Sequence, residues 1–538
     1  MLMAHVVPAG CQVQVETGRG RVLAAAGLGA GRVAAVAGLL VGRQAHRRLR
    51  RVHGPRRNLR ALLTSEFHFL PMDLFISKVM PVARGPLKFF NPRNRREGGR
   101  ENSKITFVTE SKGDGGCDVD RMKINSLTIN SKKYLSLTVE YIQLALQYKP
   151  LNLGQGFPDY YAPENVTNAL AAVAKSDNPL MQQYTRGFGH PRLVNAIAKF
   201  YSKLINRDLD PNKEVLVTAG AYEALYSSLQ GHTNLGDEWI IIEPFFDCYV
   251  PMVQSAGGIP RYIALKPKST SGTVTSGDWV FDRKEMESLF NEKTKGIIIN
   301  TPHNPIGKVF TLDELQFIAN LTKKWNVLVI SDEVYEHIVY EPYKHIRIAT
   351  LPGMYERTIT IGSAGKTFSV TGWKIGWAYG PANLLYNLQV VHQNSVYTCT
   401  TPTQEAVAIG FELEMERLEQ PDCYFRSLAM ELLPKRDYMA KFLREVGMVP
   451  TIPEGGYFML ANWSALENKV KLHEETDENK DYRFTKWMTK NVGLQGIPPT
   501  AFYGPEHKTL AEDYVRYCFI KKDENLKAAA KILKKWVS

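Results

Sequence analysis

The sequence contains no C-x-x-C pair. None of its six cysteines (Cys11, Cys117, Cys248, Cys399, Cys423 and Cys518) stands at metal-ligand spacing from a histidine. A zinc module is therefore excluded as an organising principle, and a reducing compartment is the simplest reading. No internal repeat is present, which excludes a solenoid or propeller. Long apolar runs are scarce. Val22–Gly42 is interrupted by Arg32 and filled mainly by Gly, Ala and Val, so no stable membrane insertion is expected. Acids are almost missing at the N-terminus: residues 1–63 hold eleven Arg, no Lys and the single acid Glu16. An Arg-rich, acid-poor leader of this kind points to a mitochondrial presequence, with the cytoplasm as the alternative location.

The formal charge of +13 suggests nucleic acid until its distribution is examined. Residues 1–100 carry 16 Arg and 2 Lys against Glu16, Glu66, Asp73 and Glu97, a net of +14, so the remaining 438 residues sum to −1. The body is neutral, and no nucleic-acid partner is expected. A non-enzymatic binder docking nucleic acid through the leader is the rival of another class, but the leader contains no DNA-binding module. Residues 64–134 include the polar, patternless stretches NPRNRREGGRENSK and ESKGDGGCDVD and read as a linker, with the folded body starting near residue 135.

What the body contains is alternation. Candidate strands at Glu214–Thr218, Glu238–Glu243, Gly296–Asn300, Val327–Ser331 and Thr358–Ile361 are interspersed with helical patterns. In LDELQFIANLTKKWN the spacing predicts a helix with Leu315, Ile318, Ala319 and Trp325 on one face. Strands apolar on both sides argue for a parallel sheet covered by helices on both faces. Ligands bind beyond the C-terminal strand ends of such sheets. The segments PFFDCY, TPHNPIGK, DEVY and GSAGKTFSVTGWKIGW follow four of the strands and would converge on one edge.

SAGKT (363–367) is not a Walker motif, because Thr360 stands where its first Gly is required. Lys366 instead suits imine chemistry, which needs a partly desolvated amine near other cations. Asp332 can pair with a protonated pyridine nitrogen, and Tyr335 and Asn304 can donate to a phenolate oxygen on the same ring. Ala221 and Tyr222 open a helix, whose N–H groups favour a phosphate; Ser363 and Lys374 can complete the cup. Phe246 can stack on the ring. Arg516, in YVRYCF, can fork onto a carboxylate. Each residue has a plainer reading alone: a surface lysine, an Asp turn, a packed Phe, a sheet-edge arginine in an ion pair.

Together, NLGQGFPD (152–159), QYTRGFGHP (183–191), EPFFDCY (243–249), NTPHNPIGKVF (300–310), SDEVYE (331–336), TIGSAGKTFSVTGWKIGW (360–377) and VRYCFIKKDENL (515–526) resemble the kynurenine/glutamine transaminase family of fold-type-I, class I/II aminotransferases. The resemblance covers roughly residues 135–538. It implies an α/β fold with a mostly parallel seven-stranded sheet in a large domain, 165–405. A smaller α+β domain would come from 135–164 and 406–538. It implies pyridoxal 5'-phosphate as cofactor, with Lys366 as its carrier. Ala221, Tyr222, Ser363 and Lys374 would hold the phosphate, and Tyr184 would reach it from the neighbouring subunit of a homodimer. Gly156, Asn304 and Arg516 would bind the substrate. The implied reaction moves the amino group of kynurenine, glutamine or another hydrophobic or aromatic amino acid to a 2-oxo acid, with a cysteine-S-conjugate β-lyase side activity. A different enzyme on the same scaffold, such as a pure lyase, is the alternative. Thr138 stands where the family often has a pocket Trp, and this bears on the preference for large aromatic substrates.

Overall fold

The computed structural model describes residues 13–17, 20–24, 137–268 and 272–538; the side chain of Thr138 lies outside this set. In the first of two compact units, Met1–Cys117, the described residues form an antiparallel pair, Val13–Thr17 with Gly20–Ala24. The presequence and linker expectations otherwise fall outside the described residues. The second unit spans Asp118–Ser538, and its first described element is the helix Leu137–Tyr148.

The centre of this unit is a seven-stranded sheet. In chain order its strands are β1 (Val215–Thr218), β2 (Glu238–Glu243), β3 (Ile259–Ala264), β4 (Thr294–Asn300), β5 (Leu328–Asp332), β6 (Thr358–Ser363) and β7 (Gly376–Tyr379). The spatial order is β1-β7-β6-β5-β4-β2-β3. All neighbours run parallel except β7, which is antiparallel to both β6 and β1. The fold is thus the expected mostly parallel α/β sheet, and the five strands read from the sequence are all present within one or two residues.

Burial explains why these strands lack an alternating polar face. Trp239, Ile241, Ile298 and Ile330 belong to one core, packed with Leu225 and Leu229 of the helix Ala221–His232. Ile240, Ile242, Ile297, Ile299 and Val329 point into a second core on the other face, shared with Leu315 and Ile318 of the helix Leu312–Trp325. Period-two alternation therefore distributes apolar side chains to two interiors. The helix Leu312–Trp325 begins at a capping box, in which the Thr311 hydroxyl and the Glu314 carboxylate satisfy each other's backbone N–H groups. It ends at Asn326 in the left-handed conformation. One expectation fails here. Trp325 closes the helix on that face but is 36% exposed, with Lys324 over its ring, because it lies at the helix end beyond the buried Leu315, Ile318 and Ala319.

A second sheet is built from Tyr514–Cys518, Phe458–Asn462, Val449–Ile452 and the short strand Val274–Thr275, in that order. The first three strands are antiparallel, and Leu460 is registered opposite Arg516. Among the described residues no helix is long and apolar enough to cross a membrane.

The parallel strands all end at one edge. Thr218, Glu243, Asn300, Asp332 and Ser363 mark it. Because β7 runs the other way, its first residue is there too: Gly376 pairs with both Ser363 and Thr218. Reversal of one strand therefore returns Lys374 to the edge that Lys366 has just left.

Candidate active site

At this edge lies a cavity of about 440 Å³. Eleven of the twelve candidate residues line it: Gly156, Ala221, Tyr222, Phe246, Asn304, Asp332, Tyr335, Ser363, Lys366, Lys374 and Arg516. Tyr184 does not. It is 83% exposed and packs edge-on against Tyr397.

Lys366 sits in the one-turn helix Ala364–Thr367 straight after β6. Its Nζ donates to the Tyr457 hydroxyl at 2.5 Å and to the Gly156 carbonyl at 3.3 Å. Neither partner carries a negative charge, so the ammonium form gains no carboxylate at contact. Burial, reinforced by repulsion from Arg516 and Lys374, lowers its pKa to about 8. An amine titrating near 8 is neutral in a minor but usable fraction at physiological pH, as a nucleophilic amine requires.

Asp332 closes β5 and is 3% exposed. The Tyr249 hydroxyl donates to its Oδ2 at 2.5 Å, and the Val334 N–H to its Oδ1 at 3.4 Å. Burial pushes the carboxyl up to about 6, and the two donors limit the rise. It therefore keeps its charge at neutral pH and faces the cavity as an anion. Tyr335 is buried three residues on, and burial pushes its hydroxyl above the usual phenol range.

A phosphate-sized anion cup stands where three elements meet. The helix Ala221–His232 starts there, with Gly220 in the left-handed region at φ 79° and no side-chain cap on its N–H groups. A Cβ on Gly220 would come within 3.2 Å of the Lys374 amine, and one on Gly376 within 2.4 Å of the Ala221 nitrogen. Both glycines let backbone donors and the lysine crowd together. Lys374 itself adopts φ 54°, and among the described residues no hydrogen bond or ion pair engages its amine. The cup thus offers free N–H groups, the Ser363 hydroxyl and an uncompensated cation, which suits a phosphate.

Arg516 lines the same cavity. Its guanidinium donates to Asn304 Oδ1 and to the Gly154 carbonyl, each at 3.1 Å, and lies over the Phe458 ring at 4.1 Å. It is 8% exposed, its Nε is buried without a partner, and burial lowers its pKa. Among the described residues it makes no ion pair, so the plain sheet-edge reading does not hold. A buried, unneutralised guanidinium is a carboxylate site in waiting. With its oxygen committed to Arg516, Asn304 is left its NH2 end for donation into the cavity. Asn300 accepts from the Asn304 N–H at 2.7 Å and fixes that turn.

Sequence reading did not assign roles to Tyr249 or Tyr457, which touch Asp332 and Lys366 directly. Tyr249 lies within EPFFDCY, so its motif was visible while its contact was not. Tyr457 is 91 residues from Lys366. Only the Gly-Gly-aromatic entry to an apolar strand marks it, a pattern shared by many plain turns. Phe458 and Phe502, which also line the cavity, carry no local signal.

Comparison with known proteins agrees with this geometry. The family model described as aminotransferase class I and II matches residues 148–533. The chain is 51% identical over 438 residues to kynurenine–oxoglutarate transaminase 3 of Mus musculus, covering 80% of this chain and 95% of that protein. It is 46% identical over 404 residues to kynurenine–oxoglutarate transaminase 1 of Rattus norvegicus, covering 74% and 95%. Among solved structures, N-succinyldiaminopimelate aminotransferase from Mycobacterium tuberculosis superposes with a TM-score of 0.67 at 34% identity, covering 75% of this chain and 98% of that one. The chain is an enzyme that belongs to the class I and II aminotransferases.

Proposed function

We propose that the protein is a pyridoxal-phosphate transaminase that moves the amino group of kynurenine, glutamine or another hydrophobic or aromatic amino acid to a 2-oxo acid. The observation that carries this reading is the meeting of Lys366 Nζ, the Asp332 carboxylate and the unneutralised Arg516 guanidinium in one cavity. The curated relatives named for kynurenine and oxoglutarate support the substrate class.

In this reading Ala221, Tyr222, Ser363 and Lys374 hold the cofactor's phosphate, Phe246 stacks on its ring, and Tyr335 and Asn304 donate to its ring oxygen. When bound, pyridoxal 5'-phosphate supplies a carbonyl carbon for the amino group and a ring that draws electron density from the substrate's Cα. Asp332 holds a proton on the ring nitrogen, which the flanking Tyr249 hydroxyl helps to orient. Arg516 takes the substrate carboxylate on its fork, beside Gly156 and Asn304, and so fixes the direction of the Cα–H bond. The neutral Lys366 amine accepts the Cα proton, while the Tyr457 hydroxyl holds Nζ in place. The same residues serve the amino acid and the 2-oxo acid in turn, so ping-pong kinetics are expected.

Loss of the Cα proton also expels a good leaving group from Cβ, and a β-lyase side activity on cysteine S-conjugates forms part of the proposal. So does a homodimer in which Tyr184 reaches the phosphate of the partner subunit; its high exposure in a single chain supports that role. Residues 135–164 and 406–538 are read as a smaller domain closing on the larger 165–405. The Arg-rich leader supports a mitochondrial address, with the cytoplasm as the alternative.

The test is a donor panel of kynurenine, glutamine, phenylalanine, methionine and histidine against several 2-oxo acids. Exchange between two acid pairs is expected, and Lys366→Ala should abolish it while the circular dichroism of the fold is retained. Elimination without any amino exchange would contradict the proposal.

A further inference from the structure

We infer that a groove at the opposite edge of the central sheet binds a small oxyanion that carries a hydroxyl group. The helix Ala221–His232 starts at the active-site cup and ends at this groove, on the far side of the sheet. The groove has a volume of about 350 Å³ and touches Thr294 and Leu328, the first residues of β4 and β5. Asn300 and Asp332, at the other ends of those strands, belong to the active site. The two sites are therefore separated by the length of a strand and share no residue.

The polar groups in the groove are incompletely matched within the fold. The His232 side chain lines it and is 8% exposed. Its Nδ1 lies 3.0 Å from the Ser228 carbonyl, which can only accept, so Nδ1 carries the proton. The Nε2 on the far side of the ring is then a lone-pair acceptor. It is buried and has no partner. A buried acceptor left unmade is costly, and a donor from outside the fold would stabilise it. Lys295 supplies a cation beside it and, among the described residues, makes no hydrogen bond or ion pair. Arg357 adds a second positive charge. Its donors go to the Thr322 and Gly353 carbonyls and the Asn326 side chain, so no carboxylate neutralises it. Glu356, the one acid among the lining residues, lies 3.8 Å from Arg207, so the two groove cations stand in excess over it.

The result is a positively charged groove with one buried acceptor. A phosphate or carboxylate satisfies the cations, and a neighbouring hydroxyl satisfies Nε2. An unsubstituted anion meets only half of the site, and a neutral polyol only the other half. The groove volume limits the ligand to a few carbons.

Glycerol 3-phosphate is a suitable probe, titrated calorimetrically into the protein loaded with pyridoxal phosphate so that the active-site cup is already filled. One saturable site with a Kd of about 1 mM or tighter is expected. Lys295→Gln should weaken it at least about tenfold, while amino exchange and the thermal midpoint of that variant match the unaltered protein. The nitrogen-15 resonance of His232 Nε2 should move on saturation. Absence of saturable binding, binding unchanged by Lys295→Gln, or a stationary Nε2 resonance in the saturated complex would each overturn the inference. Glycerol binding as tightly as its phosphate would overturn it too.

Discussion

The Arg516 guanidinium donates to Asn304 Oδ1 at 3.1 Å, joining the edge strand of the small sheet to the turn after β4. The contact orients the fork without neutralising it. A lysine at 516 keeps the charge but loses the planar fork, and with it charge-assisted hydrogen bonds worth about 1.5–3 kcal/mol. Arg516→Lys should therefore lower kcat/KM for amino acids about 10- to 100-fold, with the absorbance of the bound cofactor unchanged. Steady-state kinetics beside a visible spectrum check both halves.

Tyr457 is expected to act on the lysine and not on the substrate. Its hydroxyl accepts from Lys366 and donates to the Gly156 carbonyl at 2.9 Å. An acceptor at an ammonium favours the charged form, so Tyr457→Phe should move the Lys366 titration below about 8. The pH dependence of cofactor capture by the apoprotein measures that shift. Removing the nearer of the Gly156 carbonyl's two donors, with Lys366 Nζ left at 3.3 Å, should also cost about 1 kcal/mol of stability, read by urea denaturation.

Two groups set the pH behaviour. Lys366 has its folded pKa depressed from 10.5 to about 8. Between those values the unfolded chain binds more protons than the folded one, so the apoprotein should gain stability as pH rises from about 8 toward 10.5. Asp332 has its pKa raised from 3.8 to about 6. Between those values the folded state binds the extra proton, so raising the pH through this window removes stability from the apoprotein. Charge at Asp332 is lost below about 6, and cofactor retention should fall with it. Urea midpoints across pH, with absorbance of retained cofactor, follow both effects.

Gly376 tests the cup by sterics alone. A Cβ there would sit 2.4 Å from the Ala221 nitrogen and force the helix start away from Lys374. Gly376→Ala should weaken cofactor affinity about tenfold or more, in line with the loss of at least one charge-assisted hydrogen bond. Equilibrium dialysis of the variant checks this.

Much of this was legible in the chain, for identifiable reasons. Strands such as WIII and GIII, buried on both faces, announce a covered parallel sheet, and ligand chemistry then falls on the residues after each strand. That logic found Asp332, Asn304 and Lys366. It could not find the reversal of β7, because an antiparallel strand in such a sheet reads like any other apolar run. Nor could it place Tyr249 and Tyr457, whose roles depend on contacts across 83 and 91 residues. Trp325 shares the helical face of Ile318, but spacing alone does not show that the last turn of that helix reaches past the packed core.

The central claim is that the amine at 366 carries the cofactor. Borohydride reduction of the protein loaded with pyridoxal phosphate, followed by peptide mapping, tests it most directly. The account predicts a single modified peptide containing Lys366. A label on Lys374 or any other lysine, with Lys366 unmodified, would contradict it.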